Sequence, residues 1–151
     1  MNVYELSRYI IRRYNSNMHE ITNLKLQKIL YYIQGYFFKL KSKPAFNEEI
    51  YSWPYGPVVK EIYFEYSGNG ADGIFLSDGD MSIKTDLNDV NKLDKKLINQ
   101  IINKSYNYSA FDLVKKTHTE IPWASTQKGN VISKQKVEDY FSEHDPLDLD
   151  N

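Results

Sequence analysis

The sequence predicts a mainly α, compact single-domain bundle of about six helices, with room for a short β-hairpin. Three observations lead there. Apolar residues recur at three- and four-residue spacings through several segments. Helix-capping residues, Thr22, Ser109 and Ser133, precede three of those segments. A proline-rich interruption over residues 44–57 separates the early helices and leaves space only for short extended pieces. A chain of 151 residues is long enough to bury one real core.

The first helix covers residues 3–14, where Val3, Leu6, Ile10 and Tyr14 form one face and Arg8, Arg12 and Arg13 fall mostly elsewhere. Turn-favouring residues 15–17 end it. The second helix covers residues 24–40. Leu26, Leu30, Ile33, Phe37 and Leu40 make one stripe, and Ile29, Tyr32 and Tyr36 make another, so this helix is expected at the centre of the bundle. Lysines at 41 and 43 and then Pro44 close it.

Residues 49–53 alternate polar and apolar side chains and fit a short strand. Pro54, Tyr55, Gly56 and Pro57 punctuate a turn, and Pro57 suits the first position of a third helix that carries Val59, Ile62, Tyr63 and Tyr66. Residues 67–90 form the longest loop, with a brief strand expected near 81–84. A fourth helix over residues 92–106 turns Leu93, Leu97, Ile98, Ile101 and Ile102 inward. Ser109 with Asp112 forms a capping-box variant that opens a helix bearing Phe111, Val114 and His118. A short turn starts at Ile121, Pro122 and Trp123. The last helix, capped by Ser133, carries Val137, Tyr140 and Phe141. Residues 1–145 make the domain, and 146–151 an acidic tail expected to fray.

Composition bounds the function. The formal net charge is −1, which provides no global field for nucleic acid, and the basic residues Arg8, Arg12, Arg13, Lys39, Lys41 and Lys43 fit a solvated face. The absence of cysteine excludes disulfides, thiol catalysis and thiolate metal sites, and fits a reducing compartment. The N-terminal segment has neither the apolar core nor the cleavage site of a signal peptide. No window approaches the roughly 20 apolar residues of a membrane span, so the expected location is the cytoplasm. Thirteen tyrosines and two tryptophans fit either half-buried core edges or a protein interface.

Catalytic and metal signals are weak. His19, His118 and His144 have no spacing that pairs them on one helix face, and no metal or cofactor is expected. His118, near Glu120 and Trp123, reads as a residue capping its helix C-terminus. Gly68, Gly70 and Gly73 match a GxGxxG pattern without the strand–turn–helix context that a phosphate cradle needs. Asp78, Asp80, Asp86 and Asp89 lack the spacing of a calcium-binding loop. The chain is expected not to be an enzyme.

One stretch is distinctive: LKLQKILYYIQGY over residues 24–36, followed by FNEEIYSWPYGPVV over residues 46–59. It resembles the Panacea domain, a family that includes the SocA-like antitoxins and many phage-associated proteins. Thr117 and His118 followed by Pro122 and Trp123 are similar to that family's second hallmark, so the resemblance spans nearly the whole chain. Ile33 and Ser52 stand where the family often has small residues. The resemblance implies an antitoxin that neutralises a cognate protein toxin by direct complex formation. In the SocA branch it also implies an adaptor that delivers the toxin to a protease. A prophage-encoded adaptor or regulator acting on a host protein or protease is the alternative.

The family-motif residues are Leu26, Gln27, Lys28, Tyr31, Tyr32, Gln34, Trp53, Tyr55, Gly56, Pro57, Val58, His118 and Trp123. Two readings of them stay open. In one, Gln27, Lys28, Tyr31 and Gln34 form an exposed edge beside residues 53–57 that binds the toxin, with Tyr and Trp as anchors. In the other, Gln27 and Lys28 hydrogen-bond the irregular 50–57 backbone and both tryptophans fill the core.

Overall fold

Helix α2 (Asn23–Lys41) is the axis of the molecule, and its position follows from its sequence. Apolar side chains leave it in most directions, and every residue from Leu26 to Phe38 is buried. In the computed structural model, residues 1–77 and 87–150 are described. The expected strand near 81–84 and residues Asp78, Asp80 and Asp86 lie outside them. Thr22 caps α2, its hydroxyl accepting from the Lys25 amide, and Ser42 ends it in a left-handed conformation.

The other elements pack around this axis. Helix α1 (Val3–Ser16) starts at Asn2, whose side chain accepts from the Tyr4 and Glu5 amides, and buries the predicted face Val3, Leu6, Ile10 and Tyr14. Helix α3 (Lys60–Glu65) is short and runs into a 3₁₀ turn (Ser67–Asn69). Helix α4 (Lys92–Ser105) is capped by Asn91. Helix α5 (Ala110–His118) opens with the full capping box of Ser109 and Asp112. Helix α6 (Ile121–Ala124) and helix α7 (Lys134–Glu143, capped by Ser133) complete the set, seven α-helices among the described residues.

A small antiparallel sheet of order β2-β1-β3 lies beside α2: β1 (Ile50–Trp53), β2 (Gly56–Val58) and β3 (Val131–Ile132). Tyr51 pairs with Val58 on one side and Val131 on the other. Side chains alternate along β1, so Ile50 and Ser52 are buried while Tyr51 and Trp53 face outward and are half-buried.

Several expectations are corrected. Pro57 lies in β2, and the third helix begins three residues later at Lys60, because the 57–59 backbone is held extended against α2. Leu93 is 68% exposed: α4 turns Leu97, Ile98, Ile101 and Ile102 inward, and Leu93 lies off that stripe. Leu40 and Phe111 are also exposed. The acidic tail is docked where it was expected to fray. Leu147 is 1% exposed within the core, its amide donates to the Tyr36 hydroxyl, and the Asp145 carboxylate accepts from the Leu149 and Asp150 amides.

Candidate hairpin-anchoring site and aromatic groove

The polar residues of α2 form the inner half of the site. Each is buried, so Gln27, Lys28, Tyr31 and Gln34 do not form the exposed edge of the first reading, and Gln27 and Lys28 bond backbone groups as in the second. Hydrogen bonding explains why polar side chains occupy a buried helix face. The Gln27 carboxamide accepts from the Val59 amide at 2.8 Å and donates to the Asn23 side chain at 2.9 Å. The Lys28 ammonium donates to the Pro57 carbonyl at 3.1 Å. Gln34 accepts from the Ala45 amide at 2.8 Å and donates to the Phe46 carbonyl at 3.0 Å. Together these side chains supply the partners that residues 45–59, largely irregular, would otherwise lack. Gly56 adopts φ +114°, and a Cβ there would meet the Lys28 side chain at 2.6 Å, so only glycine fits.

A second buried cluster was not legible as a site. The Tyr31 and Tyr32 hydroxyls each donate to one oxygen of Glu120 at 2.9 Å, joining α2 to the α5–α6 corner. Two adjacent tyrosines inside a central helix do signal a need for a shared polar partner. Nothing local, however, singles out an acid 88 residues further along the chain. Burial pushes the Glu120 carboxyl up to about 7, against the opposing effect of the two hydroxyls. Burial likewise pushes the Lys28 ammonium down to about 7.

The outer half is aromatic. Trp53 meets Tyr63 edge-on at 4.9 Å and Phe64 at 6.4 Å. Trp123 donates its indole N–H to the Trp53 carbonyl at 2.8 Å. Neither tryptophan is wholly in the core; both are half-buried. His118 ends α5, but its ring stacks on Trp123 at 3.9 Å and 14°, and the Pro54 backbone lies beside it. The expected capping of its own helix is replaced by this stack. Burial is the main cause holding the His118 imidazole below its ordinary pKa, and Lys128 and Lys28 add to it. The Lys128 ammonium covers the Trp123 ring at 3.4 Å, and Lys60 covers Tyr51 at 3.8 Å.

Between Leu24, Trp53, Tyr55, Val58 and Tyr63 lies a groove of about 270 Å³, lined also by Gly70 and Ala71. Tyr55 at its rim is 62% exposed. No group of three or more metal-ligating side chains occurs among the described residues. Among them, too, no helix is long and apolar enough to cross a membrane.

The fold and site define a mainly helical domain in which one buried helix pins an aromatic hairpin to the surface. The family model for the antitoxin SocA-like, Panacea domain matches residues 26–124, which include every motif residue named above, and the chain belongs to this family. Antitoxin SocA of Caulobacter vibrioides (strain NA1000 / CB15N) is 42% identical over 50 residues, 33% of this chain and 27% of that protein. The matching segment thus spans about a quarter of that relative's length. No solved structure matches the chain.

Proposed function

We propose that this protein is a cytoplasmic antitoxin that neutralises a cognate protein toxin by forming a direct complex with it. The observation that carries this reading is the match of the SocA-like Panacea family model to residues 26–124. The surface supports a binding role. Tyr55 and Phe64 are large aromatic side chains left exposed beside a groove, and clustered aromatic anchors are what protein interfaces use. The buried titratable side chains Lys28, Tyr31, Tyr32 and Glu120, all strongly perturbed by burial, are engaged in holding the fold, which favours binding over catalysis.

Co-expression with the product of the neighbouring open reading frame tests the proposal. Restored growth together with co-purification of the two chains is the expected result. A neighbouring product that is harmless alone, or that stays lethal in the presence of this chain, would overturn it.

A further inference from the structure

The sheet's outer face carries more aromatic surface than the fold consumes. Val131, Tyr51 and Val58 stand in one row across the three strands, and Trp53 projects from the same face of β1. Helix α3 completes the face. Residues 60, 63 and 64 share one side of that helix, and each meets the sheet: Lys60 on Tyr51, Tyr63 and Phe64 on Trp53. Helical spacing turns Glu61 and Glu65 away from it.

The side-chain amides at the groove have their partners within the protein. Those of Gln27 and Asn23 are bonded to each other, to the Val59 amide and to the Tyr63 carbonyl. An apolar group can therefore fill the groove without stranding a polar one. Two lysines lie over rings of this aromatic cluster. Lys60 covers Tyr51, and Lys128 covers Trp123, the ring bonded to Trp53. Neither ammonium has a carboxylate within ion-pair distance among the described residues.

We infer that the groove receives an apolar side chain from an acidic segment of the bound toxin, with flanking carboxylates directed toward Lys60 and Lys128. The inference rests on the antitoxin reading and names the surface and chemistry that reading leaves open. A protein segment fits better than a nucleic acid strand. The ring faces of Tyr51 and Trp123 are already covered by lysines, Trp53, Tyr63 and Phe64 pack edge to face, and the formal net charge is −1.

Selection of binders to the full chain from a random peptide library displayed on phage tests the chemistry. Enriched peptides are expected to place Asp or Glu near a large apolar residue. Tyr55→Ala and Phe64→Ser, both at exposed positions, should each weaken those peptides by about tenfold or more with thermal midpoints unchanged. The Lys60→Glu, Lys128→Glu double variant should weaken them similarly and shift the selection toward Lys and Arg. Peptides without acidic enrichment, binding unaffected by these variants, or groove-dependent capture of a uridine-rich single-stranded RNA in place of peptides would each overturn the inference. The same variants in the growth-rescue assay separate it from the reading beneath it. Protection by wild type and variants alike removes the groove and leaves the antitoxin. Protection by wild type alone supports both. Failure of the wild type to protect removes the antitoxin reading and the toxin as occupant.

Discussion

Glu120 and Lys28 make the stability of this domain depend on pH in opposite directions. Glu120 is raised from its ordinary 4.5 to about 7, so the folded state holds its proton more tightly than the unfolded chain. Its contribution is fully present below pH 4.5 and is lost as pH rises toward 7, amounting to roughly 3 kcal/mol across that window. Lys28 is lowered from 10.5 to about 7, so its contribution is fully present above pH 10.5 and is lost as pH falls to 7. The two effects place a stability minimum near neutrality. Urea denaturation between pH 5 and 9 should show this: Glu120→Gln flattens the acid limb relative to wild type, and Lys28→Met flattens the alkaline limb. Equal slopes in wild type and variant on either limb would refute the assignment for that residue. Tyr31→Phe removes one hydroxyl from a buried carboxylate and should cost about 1.5–3 kcal/mol. Because Tyr31 is buried, affinity for a partner should hold below the melting temperature; a loss of affinity without a loss of stability would return it to the interface.

At the scale of the element, the contact between α2 and α7 depends on one missing side chain. A Cβ at Gly35 would lie 2.2–2.5 Å from the Phe141 ring, which itself meets Tyr31, Tyr32 and Tyr36 edge-on. Gly35→Ala should therefore destabilise by about 1–3 kcal/mol or more by overpacking, although alanine is the better helix former. Adding Phe141→Leu should recover part of that loss, and strictly additive costs in the double variant would exclude the clash as the cause. Local signals were legible here. The caps at Thr22, Ser109 and Ser133 were readable because a cap is a bond between a side chain and a backbone three residues away. Strand β3 was not, since two residues carry no alternation and its partner β1 lies some 80 residues earlier. Pro57 misled for a related reason: its fixed φ suits a helix start or an extended strand equally, and the Lys28 bond to its carbonyl decides the matter.

At the scale of the whole molecule, burial is set by closure around α2. That explains which apolar residues periodicity ranked correctly and which it did not. Leu26, Leu30 and Ile33 lie on α2 itself and are covered whichever elements pack around it, and their spacing identified them. The motif residues were identifiable as a set, but their division into a buried inner half and an aromatic outer half was not, because it depends on where the hairpin docks. The clearest reversal concerns two leucines. Spacing assigns Leu93 to the core and composition assigns Leu147 to a loose tail, yet Leu93 is 68% exposed and Leu147 1%. The tail is drawn in because Tyr36, inside α2, donates to Asp145 and accepts from the Leu147 amide, two polar demands that only a returning chain meets. Leu147→Ala should therefore cost about 2–4 kcal/mol, as for other buried leucines, while Leu93→Ala should stay within about 0.5 kcal/mol of wild type. Urea denaturation of the two variants decides the point: the opposite ranking would mean that α4 and the tail exchange their roles in closing the core.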